Sequence, residues 1–188
     1  ETITSVVIPN TVYEIEEGAF YNCDTLTYID IPDGVTFIGY GAFQYCDTLV
    51  SVSIPDSVVN IKEYAFDDCG SLKSIMIPDS VTSLGWSSFS DCVSLENVVI
   101  GNGVTYIADY TFYNCKALTS VKIGDSVTGI GYQAFYKCTS LKSILIPDNV
   151  KNIGRYVFEG CTSLVTVSIG SGVASAYDNS VFFQCTNL

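Results

Sequence analysis

Residues 49–69 read LVSVSIPDSVVNIKEYAFDDC, and the same pattern returns 23 residues later and keeps returning. Cysteines stand at 23, 46, 69, 92, 115, 138, 161 and 185, six successive spacings of 23 followed by one of 24. Phenylalanines keep the same beat at 20, 43, 66, 89, 112, 135, 158 and 182, and leucines at 26, 49, 72, 95, 118, 141, 164 and 188. Self-similarity at one period over a whole chain marks an array of stacked units, each unable to bury its apolar face alone.

Within one unit, Leu49, Val52 and Ile54, like Leu72, Ile75 and Ile77, place apolar residues at the first, fourth and sixth positions. The last two alternate in period two, so both point to the same side of an extended segment, the interior. Pro55 ends the strand because it has no N–H for a ladder. Asp56 and Ser57 make a turn, with the aspartate expected to bond its own downstream backbone. Val58 and Ile61 re-enter the core. Glu63 to Asp68, with Ala65 and Phe66 inward, is long enough for one helical or 3₁₀ turn. Stacked coils then build columns of Leu, Ile, Val, Phe and Cys, with parallel strands at the usual ladder spacing of about 4.7–4.9 Å.

The unit LxxIxIPDSVxxIGxxAFxxC resembles the BspA-type leucine-rich repeat, known from surface proteins of mucosal bacteria and some parasitic protists. Proline keeps its place at 9, 32, 55, 78 and 147, with glycine instead at 101, 124 and 170. The Ala-Phe pair is intact at 19–20, 42–43, 65–66 and 134–135 and varied at Ser88, Thr111, Val157 and Val181. The last unit departs most, with Ala176 where an isoleucine is expected and one residue inserted before Phe182. The expected fold is an α/β solenoid: a right-handed leucine-rich-repeat arc with parallel strands on its concave side and short turns or single-turn helices opposite. It forms one domain over residues 1–188, about eight repeats, and reads as a section of a longer array. The resemblance implies a secreted or surface-displayed adhesion or protein-binding module whose ligand is a protein or glycan, with extracellular-matrix proteins as plausible targets. A structural spacer that projects a neighbouring domain is the alternative. No catalytic residue carries over.

Composition narrows the function further. The 188 residues carry a net charge of −12 with only eight Lys and Arg, so clustered phosphate contacts, and with them nucleic acid, are not expected. Mean hydropathy is +0.34, yet no apolar run reaches the ~18–20 residues of a membrane span. Residues 1–94 hold fourteen acidic residues against Lys62 and Lys73, whereas residues 95–188 hold six of each sign. That asymmetry either orients a cationic partner or simply keeps the array soluble. With no histidine in the chain, a Ser-His-Asp or Cys-His device is impossible, and no enzyme activity or cofactor is expected.

The eight cysteines are expected to be buried free thiols, because side chains in one solenoid column run parallel into the core rather than facing each other. Their spacing matches no zinc motif, and no metal is expected there. The aspartates at 33, 56, 79, 125 and 148 read as turn-forming residues, with calcium as the alternative.

Ligand contacts are sought among residues that break the repeat. On the strand, the outward position between the two core residues reads Val7, Asp30, Ser53, Met76, Val99, Lys122, Leu145 and Ser168, and the position two earlier includes Tyr28. The candidate contact surface is Tyr28, Asp30, Met76, Val99, Lys122 and Leu145. Its apolar members are either a contact patch or plain strand formers. On the turn side lie Tyr40, Tyr64, Tyr110, Tyr113, Tyr132, Tyr136 and Tyr156, with Trp86 in the same region. Both ligand contact and packing between neighbouring units account for them.

Overall fold

The computed structural model describes residues 4–176 and 180–188. Each unit forms one rung of a solenoid, and its two short strands lie on two sides of the stack in two parallel ladders, the first broken between Ser53 and Ser74 and between Lys122 and Ser143, the second between Leu84 and Tyr106. The first ladder comprises Ser5–Val7, Tyr28–Asp30, Ser51–Ser53, Ser74–Ile77, Asn97–Ile100, Ser120–Lys122, Ser143–Ile146 and Thr166–Ile169. The second comprises Glu14–Ile15, Phe37–Ile38, Asn60–Ile61, Ser83–Leu84, Tyr106–Ile107, Gly129–Ile130, Asn152–Ile153 and Ser175–Ala176. Register is constant: Ile75 lies beside Val98, and Ile61 beside both Ile38 and Leu84. Equivalent residues therefore meet at every paired step. The second ladder replaces what the sequence suggests is only a turn back into the core.

The third side of the rung corrects the expected α/β class. No α-helix occurs among the described residues, and the molecule is a parallel β-solenoid of about seven turns. In the segment expected to coil, Tyr64 and Asp68 take φ of 58° and 57°, in the left-handed region that breaks a helix. The same two positions repeat along the array, as Gly18, Gly41, Tyr64, Ser87, Tyr110, Gln133 and Tyr156, and as Asn22, Tyr45, Asp68, Asp91, Asn114, Lys137, Gly160 and Gln184. Backbone bonding explains why. The N–H groups of Tyr64, Phe66 and Asp68 donate to Trp86, Ser88 and Ser90 of the next rung, while Ala65 and Asp67 close turns onto Lys62 and Tyr64. A helix would spend every N–H inside the segment. Alternating turns free half of them to bind the neighbouring rung, and one isolated turn is too short to be a stable helix anyway.

The interior is one apolar cluster running from Ile15 to Val181. Its spine is the phenylalanine column. Phe43, Phe66, Phe89, Phe112, Phe135 and Phe158 are fully buried, and successive rings from Phe20 to Phe182 stand 5.0–5.6 Å apart, within 13° of parallel. That separation exceeds ring thickness, so the rings are offset-stacked, the arrangement their quadrupoles favour over a face-to-face sandwich.

All eight cysteines are free thiols. Each buried thiol donates back to a phenylalanine carbonyl one rung earlier, as Cys92 Sγ does to Phe66 O at 3.2 Å and Cys115 Sγ to Phe89 O at 3.3 Å. The cysteine column is thus small enough for the core and also a weak donor to a carbonyl that faces it.

Between the second ladder and the turns, rungs approach closely. A Cβ on Gly39 would lie 2.6 Å from the carbonyl carbon of Glu16 and the nitrogen of Glu17. Two members of the aspartate column also differ from expectation. The turn itself closes between backbone groups, Val58 N–H to Pro55 O at 3.1 Å. Asp79 and Asp148 instead accept the N–H of Asn102 and Ser171 one rung on, at 2.6 and 2.7 Å. Their carboxylates are inter-rung clamps rather than caps of their own turn.

Truncating Phe89 to Ala should cost about 3–5 kcal/mol, and the same change at Phe20 or Phe182, each with one stacked neighbour and partial exposure, should cost clearly less in chemical denaturation. In alkylation of the native chain at pH 8, Cys23 and Cys185, which are only half-buried, should label first. Burial pushes the Cys46 thiol up to about 12, so it and the five other buried thiols should stay unmodified until the chain unfolds.

Candidate binding surface

The first ladder presents its outward row in three successive stretches along the stack. Val7, Asp30 and Ser53 stand in register, then Met76, Val99 and Lys122, then Leu145 and Ser168. Met76 and Leu145 are about two-thirds exposed, at 66% and 65%, and Tyr28 is 47% exposed. Val99 departs from expectation. It is half-buried, because the longer side chains of Met76 and Lys122 flank it in register.

Two hollows flank this strip. Tyr28 and Asp30 line the first, about 480 Å³, together with Val7 and Asp33. Lys122 and Leu145 line the other, about 750 Å³, with Asp125, Asp148 and Ile169 around them. The structure therefore joins Tyr28 to Asp30 and Lys122 to Leu145, and places Met76 beside Val99 on the ladder between. Each hollow combines apolar surface with carboxylates, and the second adds one ammonium group. Such an arrangement suits a protein surface of mixed character.

The turn side carries a second feature that single-residue reasoning underestimates. Its aromatic residues touch across rungs edge to face. One run goes from Tyr40 to Tyr64 to Trp86, with centroids 5.5 and 4.4 Å apart. Another goes from Tyr110 to Tyr132 to Tyr156, at 5.3 and 5.9 Å. Tyr113 stacks on Tyr136, whose ring carries the ammonium of Lys137 at 5.0 Å. Packing between rungs thus accounts for most of these side chains.

A polar row runs beside them. Gln44 Nε2 donates to Asp67 Oδ2 at 2.9 Å, Asn114 Nδ2 to Asp91 Oδ1 at 2.6 Å, and Ser90 Oγ to Asp91 Oδ2 at 2.9 Å. Burial drives the Asp67 carboxyl up to about 6; hydrogen bonds from Gln44 and Ser90 oppose the shift, and the charges of Asp91 and Asp68 add to it. Sequence offers one clue to this row: Gln44, Asp67 and Ser90 share a repeat position, as do Asp68, Asp91 and Asn114. Among the described residues, no three His, Cys, Asp or Glu side chains gather as ligands for a metal ion.

Sequence comparison matches the chain to the family described as "BspA type Leucine rich repeat region", in six copies, over residues 1–118 and 105–188. Among solved structures, it is similar to a leucine-rich repeat protein from Bacteroides ovatus, at 30% identity and a TM-score of 0.64 over 100% of this chain. It is also similar to the T. pallidum Leucine Rich Repeat protein, at 26% identity and a TM-score of 0.58, covering 75% of this chain and 79% of that one. The chain spans 60% of the length of the Bacteroides ovatus protein. No curated protein matches it significantly.

The Asp67 carboxyl has a definite signature in stability. Its folded-state value, about 6, lies above the ordinary 3.8, so the native state holds the proton more tightly than the unfolded chain does. The stabilisation is fully present below about pH 3.8 and is lost as pH rises through about 6. Thermal unfolding of Asp67→Asn should therefore show a flatter Tm between pH 4 and pH 7 than the parent chain, and a higher Tm than the parent at pH 7.5.

Proposed function

Since the chain belongs to the BspA-type leucine-rich repeat family, we propose that it is a non-enzymatic protein-binding or adhesion module, secreted or displayed at a cell surface, that meets its ligand through the outward strip of the first ladder. The contact residues are Tyr28, Asp30, Met76, Val99, Lys122 and Leu145. The supporting observation is the contrast between the two sides of each strand. Inward positions repeat the same apolar types rung after rung, whereas the outward row mixes apolar, polar and charged residues along the stack and leaves Met76 and Leu145 largely in water. Large apolar side chains aligned on a rigid solvated ladder gain free energy when a partner covers them. The hollows at Tyr28–Asp30 and Lys122–Leu145 supply the charged rims that orient such a partner.

No helix among the described residues is long and apolar enough to cross a membrane.

Surface-immobilised matrix proteins and mucin glycans, titrated with the isolated chain, test this reading. Saturable binding to one of them, weakened tenfold or more by the double change Met76→Ser with Leu145→Ser at unchanged Tm, is expected. Uniform failure to bind would turn the assignment towards a spacer that holds a neighbouring domain away from its support.

A further inference from the structure

The aromatic rows on the turn side are interrupted where small or polar residues replace tyrosine. In the left-handed column, Tyr64, Tyr110 and Tyr156 alternate with Ser87 and Gln133. Ser87 is buried and small, and where its ring would be there is a notch of about 300 Å³. Its walls are Tyr64 and Trp86 on one side and Tyr110 and Tyr113 on the other, with the Asp91 carboxylate at the edge. Tyr64 meets Trp86 edge to face at 69°, and Tyr110 meets Tyr113 at 65°, so the shallow notch between the two pairs is bordered by rings of differing orientation and is open to solvent.

We propose that this notch binds the cationic side chain of a lysine or arginine presented by an extended basic peptide segment. Two features of the site, and one found elsewhere in the molecule, select that chemistry. Ring faces attract cations through their quadrupoles, tryptophan most strongly, and several rings about one space form the recognition element for ammonium groups. The Asp91 carboxylate supplies opposite charge, and Asp68 stands nearby in the same acidic half of the chain, which carries the whole net charge of the protein. Elsewhere the molecule makes this contact with its own cations: Lys137 lies over Tyr136, and Lys62 over the ring of Phe37 at 5.4 Å. A sugar ring fits less well. It carries no positive charge, so it gains nothing from the Asp91 carboxylate's charge or from the ring quadrupoles that favour a cation. The site is separate from the first-ladder strip and stands independently of the contact assigned there.

The chain has a single tryptophan, Trp86, so its fluorescence reports on the notch directly. Titration with a dodecapeptide of alternating lysine and glycine should change that fluorescence saturably at 150 mM salt, and the same peptide with glutamine for lysine should not. Anisotropy of the labelled lysine peptide then follows the variants. Ser87→Tyr fills the notch with the residue that Tyr64 and Tyr110 already carry in the same backbone conformation, φ 58° and 59° against 53°. Its Tm should hold while affinity falls tenfold or more. Tyr110→Ala should weaken binding similarly by removing a wall, whereas Met76→Ser with Leu145→Ser should leave it unchanged. Absence of saturable binding, undiminished binding in Ser87→Tyr, or a response to a neutral oligosaccharide in place of the lysine peptide would each overturn the assignment.

Discussion

Every feature of this molecule depends on one constraint: equivalent residues of successive units, 23 apart except across the insertion before Phe182, must lie on one another, because neighbouring rungs are joined by backbone hydrogen bonds on up to three sides. Two sides are short parallel ladders, and the third is the alternating turn whose N–H groups reach the next rung. With registry enforced on all three, side chains have no freedom to choose partners. Phenylalanine falls on phenylalanine, and cysteine falls beneath the carbonyl it donates to. Stability then resembles a sum of identical nearest-neighbour interfaces, so a central rung matters more than an end one.

The same constraint carries local costs. Tyrosine, serine, glutamine and lysine are held at positive φ on the turn side, each strained by roughly 1–2 kcal/mol relative to ordinary backbone. Asparagine and aspartate, which take several of these places, tolerate that conformation better. The strain persists because relaxing one residue would break the N–H bonds that join two rungs. The buried Asp67 follows the same pattern. Its carboxyl sits in a row of hydrogen-bonding side chains set by the repeat, and burial there makes it easier to protonate than an ordinary aspartate.

Functional capacity is confined to what registry leaves over. Outward positions alone can vary without disturbing the stack, and a variation at one of them is read against its equivalents on the rungs above and below. Met76 beside Val99 and Lys122 makes a surface, where any of them alone would be a lone side chain. A missing ring works likewise: Ser87 is unremarkable by itself, and it opens a notch because Tyr64 and Tyr110 occupy the same column on either side.

The sequence alone determined the 23-residue rung, the parallel first ladder, the inward columns from Leu to Cys, the turn after Pro55 and the order of residues along the outward strip. Those properties follow from periodicity, and periodicity is written in one dimension. Only the tertiary structure decided that the AFxxC segment is a chain of turns and not a helical turn, that Asn60–Ile61 belongs to a second ladder, and that Asp79 reaches the following rung instead of its own turn. Each of those outcomes depends on where an N–H or a carboxylate finds its partner, and the competing partners lie 22 or 23 residues away. Local propensity weighs only near neighbours. It could not register that a hydrogen bond to the next rung outweighs one within the segment, nor that Trp86 and Tyr110 would face each other across an absent side chain.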